Sequence, residues 1–124
     1  SRQPGPYHRA WSLFLLDHRR DVDLVLEQAR RELKSRKDIY GYDLLAWALH
    51  QSGRDLEARE AMQHALRLGT RDPSLLFHAG VIECALGNRS SARAYLKAAL
   101  VTNAHWHPFQ PTVGRMILDS IADL

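Results

Sequence analysis

Apolar residues along this chain recur with a helical period. Tyr42, Leu45, Ala46 and Leu49 fall at i, i+3, i+4 and i+7, the stripe of an amphipathic helix. Gly53 follows where a helix C-terminus favours a left-handed residue. Asp55 is then placed to cap a second helix carrying Ala58, Met62, Ala65 and Leu66. The pattern returns downstream with Leu76 and Gly80, a stop at Gly87, and a cap at Asn88 or Ser90. Ala92, Leu96, Ala99 and Leu100 form the next stripe. Asp72-Pro73 separates the two pairs, because proline turns the residue before it away from helix and is itself welcome at a helix start. Upstream, Trp11, Ser12 and Leu15 mark a first helix, and Asp21 is placed as the N-cap of a second over 22–34. A last helix from about 112 to 124 carries Val113, Gly114 and Ile117.

The two well-patterned pairs are copies of each other at a shift of 34 residues. The shift carries Pro73, Leu76, Gly80, Gly87, Ala92, Leu96 and Ala99 back to Ile39, Tyr42, Ala46, Gly53, Ala58, Met62 and Ala65. A second shift reaches His8, Trp11, Ser12 and Leu15. Three units therefore begin near Gly5, Ile39 and Pro73. The first is degenerate, with Arg19, Leu24 and Arg31 where a glycine and two small residues are expected. Small residues at fixed places let neighbouring helix backbones approach, and large ones fill the remaining gaps.

The period and these small positions resemble the tetratricopeptide repeat family over nearly the whole chain after Pro6. The second unit fits the family pattern throughout, and the third departs at Ala79 and Glu83. The resemblance implies an all-α, right-handed solenoid: a flexible lead-in over 1–6, helix-turn-helix units over 7–38, 39–72 and 73–106, and a C-terminal capping helix over 108–124. The weighed alternative is an antiparallel helical bundle, which needs apolar stripes but no fixed 34-residue phase.

In that family the first helices line a concave groove. Carried onto this chain, the peptide-binding groove comprises Arg9, Leu13, Tyr40, Asp43, Leu44, Trp47, His50, Phe77, His78, Val81 and Arg115. Trp47, Phe77 and Val81 share matching phases, so an exposed apolar surface rimmed by Arg9, His50, His78 and Arg115 is expected to take a peptide. The competing expectation is that these aromatics pack on one another or on the C-terminal segment. Some family members clamp chaperone-tail carboxylates with lysines and asparagines. The matching positions here hold Arg9, Leu13, Trp47, Ser74 and His78, which argues against such a clamp.

Composition changes this picture little. The net charge is +3 and 45% of residues are hydrophobic, as in an ordinary globular chain. The pI near 9.4 reflects only 17 Lys and Arg against 14 Asp and Glu, a balance too mild to indicate nucleic acid by itself, although Arg30, Arg31, Lys34, Arg36 and Lys37 form a basic run. That run is read as a solvated helix face suited to a helix C-terminus. Cys84 is the single cysteine, so no intramolecular disulfide exists and the compartment stays open, with a reducing cytoplasm compatible. His105 and His107, with His78, are weighed as metal ligands and read instead as loop histidines. Cys84 with His50 or His78 is weighed as a nucleophile and base and read as an apolar filler. The expectation is a protein- or peptide-binding module with no cofactor and no catalysis. The alternative is a self-associating segment of a larger repeat protein.

Overall fold

A computed structural model describes residues 6–35 and 37–122, with side chains for 9–35 and 37–121. Among these residues every regular element is an α-helix: α1 (Pro6–Asp17), α2 (Val22–Leu33), α3 (Ile39–Gln51), α4 (Asp55–Leu66), α5 (Pro73–Ala85), α6 (Arg89–Thr102) and α7 (Gln110–Ala122). The expected lead-in over 1–6 lies outside the described residues except for Pro6, which opens α1, and Arg36 of the basic run lies outside them too. None of the described helices is long and apolar enough to cross a membrane. The chain divides into two compact units, Ser1–Ala65 and Leu66–Leu124.

Helix ends repeat in phase with the sequence. Gly53 and Gly87 adopt φ of 78° and 82°, and Arg19, 34 residues before Gly53, adopts 52°. At each place the next residue's N–H reaches back to a carbonyl five residues earlier: Arg20 to Leu15 at 2.8 Å, Arg54 to Leu49 at 2.8 Å, and Asn88 to Glu83 at 2.9 Å. These bonds satisfy carbonyls that the helix itself leaves unpaired. Arg19 thus does the work of glycine with a side chain attached, which costs it about 1 kcal/mol.

Helix starts follow the sequence less closely. Asp38 caps α3 by accepting the Gly41 N–H at 2.8 Å, and Asp72 caps α5 by accepting from Ser74 and Leu75, with Pro73 at the first helical position. Asp21 stands before α2, but it sits at φ 52° and its carboxylate makes no capping bond. Asn88 stands before α6 and also does not cap; its amide donates to Glu83 Oε1 at 2.8 Å. Asp55 lies inside α4, where its carboxylate meets His50 Nδ1, so the expectation that it caps is corrected. Just before α7, His107 Nδ1 accepts the N–H groups of Phe109 and Gln110 at 3.1 and 3.2 Å.

Within the first unit α3 is the central element. Leu44, Ala46, Trp47, Ala48 and Leu49 are buried on it, and α1, α2 and α4 supply Leu16, Val25, Leu26, Ala29, Ala58, Ala61, Met62 and Ala65. Tyr42 stacks on His64 of α4 with ring centroids 4.8 Å apart. In the second unit α5 is buried on nearly every side, from Leu75 through Gly80 and again at Ile82 and Glu83. A helix so enclosed has no polar face to turn to water, which suits its high apolar content. The in-phase small residues are buried throughout: Ser12, Ala46, Gly80 and Gly114 on first helices, and Ala58, Ala65, Ala92 and Ala99 on second helices. Leu24 and Arg31, the degenerate positions of α2, are exposed instead.

Gly80 shows why such positions are small. A Cβ there would lie 2.6 and 2.7 Å from Cγ and Cδ2 of Leu96, itself fully packed, whereas a Cβ at Gly114 meets nothing closer than 3.8 Å. Gly80→Ala is therefore expected to destabilise the fold by about 1–3 kcal/mol through overpacking, against a helix-propensity gain of about 1 kcal/mol. Gly114→Ala is expected to be neutral or stabilising; urea denaturation of both variants checks the contrast. Arg19→Gly is expected to raise stability by about 0.5–1 kcal/mol in the same assay, because glycine relieves the left-handed strain.

Candidate functional site

The first-helix residues expected to form a groove fall into two groups, one in each unit. In the first unit Arg9 of α1 reaches α3. Its guanidinium donates to the Tyr40 carbonyl at 2.8 Å and to Asp43 Oδ2 at 2.7 Å, and lies 5.0 Å from the centroid of the Tyr40 ring. Asp43 is fully buried and the Arg9 side chain is 25% exposed. A carboxylate so enclosed needs a charged, hydrogen-bonded partner, and Arg9 supplies it in good geometry. Arg9 and Asp43 are 34 residues apart, so the pair joins equivalent positions of consecutive first helices.

A second polar chain runs further along the same two helices. Trp47 Nε1 donates to Asp17 Oδ1 of α1 at 2.9 Å, and the indole stacks on His50 at 4.9 Å. His50 Nδ1 in turn meets Asp55 Oδ1 of α4 at 2.5 Å. The indole is 5% exposed, and Leu44 beside it is equally buried. Trp47 is therefore an internal tie between α1 and α3, which corrects the expectation of an aromatic platform open to a peptide. The physical reason lies in Asp17: with an acceptor for its N–H available on α1, the tryptophan satisfies its one polar group and buries the rest of its ring.

The second unit treats Phe77 in the same way. The ring is 4% exposed, lies 6.2 Å from Trp106, and faces the Cα side of Gly114 on α7. Trp106 Nε1 donates to Gln110 Oε1 at 2.7 Å, and Ser74 Oγ donates to the same oxygen at 3.3 Å, so one buried amide ties α7 to α5. His78 is fully buried beside Phe77. Val81 is half-buried and Arg115 is exposed. The expectation of packing on the C-terminal segment describes Phe77, because α7 covers it.

What stays accessible of the expected groove in the first unit is therefore Arg9, Leu13, Tyr40 and His50. Tyr40 is 41% exposed. Asp43, Leu44 and Trp47 have become packing residues. Two aromatics that the sequence reading placed with the packing residues or left out are open instead. Trp11 is 57% and Phe14 45% exposed, with rings stacked 5.4 Å apart. Their i, i+3 spacing was visible in the sequence, but no local signal told outward from inward. Gln110 and Trp106 were missed as well; the only hint was their i, i+4 spacing.

Among the described residues no group of three or more histidines, cysteines or acids could hold a metal ion. His107 spends its Nδ1 lone pair on helix-start amides, and Cys84 is half-buried. The second unit also holds a cleft of about 300 Å³ lined by buried Leu76, half-buried Leu66 and Tyr95, and exposed Arg71. The basic run lies largely in water: Arg30, Arg31, Lys34 and Lys37 are exposed, with Arg30 3.5 Å from Glu57.

Because Trp47 is buried and hydrogen-bonded, Trp47→Ala is expected to cost about 3–5 kcal/mol of stability. Thermal and urea unfolding followed by circular dichroism measures this. A loss below about 1 kcal/mol would mean that the indole does not occupy this internal position.

No family model matches the chain, and no curated protein matches it.

Proposed function

We propose that this chain is a tetratricopeptide-like, right-handed solenoid of three helix-pair repeats with a C-terminal capping helix, serving as a non-catalytic protein- or peptide-binding module. Support for the repeat comes from the helix ends at Arg19, Gly53 and Gly87, which share one left-handed geometry 34 residues apart. The buried small residues in the same phase add to it.

The observation that carries the binding reading is the Arg9, Tyr40 and Asp43 cluster. It sets equivalent positions of α1 and α3 side by side and leaves a guanidinium stacked on an exposed phenol ring. Asp43 and the Tyr40 carbonyl hold Arg9 in one orientation, so little side-chain entropy is lost on binding. An exposed tyrosine beside a fixed arginine is a combination enriched at the centre of protein interfaces. The accessible groove is thus the strip of Arg9, Leu13, Tyr40 and His50 in the first unit.

A second reading, self-association, is favoured by the apolar side chains that stay open outside this strip. Trp11 and Phe14 on α1, and Phe109, Val113 and Met116 around α7, are all at least 40% exposed. Exposed apolar residues that line up on one helix face mark surfaces that other proteins cover.

Peptides selected from a random twelve-residue library on the immobilised chain test the first reading. They are expected to shift backbone amide resonances of Arg9, Leu13 and Tyr40, and Tyr40→Ala is expected to weaken them at least about tenfold with little change in stability. Selected peptides that shift only other residues, or a library that yields no binder, would sink it.

A further inference from the structure

We infer that α7 is a dimerisation helix, pairing antiparallel with the α7 of a second copy across a two-fold axis near Ile117. This rests on the self-association reading above and names its surface.

The first observation is a stripe. Phe109, Val113 and Met116 fall at i, i+4 and i+7 and are 72%, 40% and 65% exposed. The opposite face of α7, with Gln110, Pro111, Gly114 and Ile121, is buried in the second unit. The helix is therefore apolar on two faces, and only one of them has a partner within the unit.

The second observation is the repeat phase. Thirty-four residues before Val113 and Met116 stand Ala79 and Ile82, which are 1% and 0% exposed. Another 34 before those stand Leu45, half-buried, and Ala48, 0% exposed. The same two repeat positions are thus largely covered on α3 and α5 and open on α7, as they are on α1 at Trp11 and Phe14. A helix laid along this face would cover it as these positions are covered on α3 and α5.

The third observation selects a second copy as that helix. Arg115 and Asp119 are exposed on one flank of the stripe, four residues apart, and among the described residues neither forms an ion pair. In an antiparallel pair centred near Ile117, residue 115 of one helix lies opposite residue 119 of the other. Each Arg115 then faces the Asp119 of the other copy, and the contact is made twice. A two-fold interface demands such self-complementarity, and a surface carrying one charge of each sign at mirrored offsets provides it. The apolar patch is small, so the dimer is weak.

Sedimentation equilibrium of the full 124-residue chain from about 10 µM to 1 mM tests the inference, with circular dichroism to confirm that each variant stays helical. The parent chain is expected to show a reversible monomer–dimer equilibrium. Met116→Asp, at a side chain already facing water, is expected to weaken the dimer at least about tenfold. Arg115→Glu, which sets two acids opposite each other twice, is expected to weaken it about tenfold, and the double change Arg115→Glu with Asp119→Arg to restore it. A monomer at every concentration overturns both this inference and the self-association reading. A dimer that ignores Met116→Asp but dissolves on Trp11→Ala overturns this inference alone and leaves self-association standing. A double variant that fails to recover overturns the antiparallel pairing.

Discussion

Where α5 meets α6 almost no side chain intervenes, and that close approach constrains what is built around it. On α5, Gly80 leaves just enough room for Leu96 of α6; a single added carbon would overlap two atoms of that side chain. Ser12, Ala46 and Gly114 hold the same repeat position on α1, α3 and α7, and all are buried. Dispersion falls steeply with distance, so small residues at the crossing points let the larger ones around them make full contact. The large residues, in turn, have to go wherever the crossing geometry leaves space.

That space is internal, which explains the fate of the aromatics. Trp47 and Phe77 sit on the faces of α3 and α5 from which a groove would be read, yet both lie inside their units. For Trp47 the deciding partner is Asp17, whose carboxylate accepts the indole N–H at 2.9 Å. For Phe77 it is α7, held in place by the Gln110 amide that serves both Trp106 and Ser74. Burying a polar group without a partner costs a few kcal/mol, so these few bonds decide whether a large amphipathic ring can turn inward. The Arg9–Asp43 pair follows the same rule with charges, and part of Arg9 remains in water.

Apolar residues left outside are concentrated on α1 and around α7. Trp11 and Phe14 stack on each other, and Phe109, Val113 and Met116 form a stripe of their own. The self-association reading draws on these open faces, and the binding reading on the Arg9 and Tyr40 strip apart from them.

The helices, their approximate ends, the 34-residue period and the buried small positions were all legible in the sequence. Helical periodicity and left-handed stops are properties of a short stretch of backbone, readable from a dozen residues at a time. Even Arg19, the wrong residue for its place, adopts the left-handed turn, because the in-phase bond from Arg20 to Leu15 outweighs the strain of one side chain. Cap chemistry was not legible: Asp55 and Asn88, expected as caps, turn to His50 and Glu83, while Asp38 and Asp72 make the capping bonds. Which tryptophans face water was not legible. Trp11 and Trp47 stand on similar stripes of α1 and α3, and only the presence of Asp17 and the rest of the first unit around one of them makes it core and leaves the other exposed. Burial depends on what arrives from elsewhere in the chain, and no local pattern carries that information.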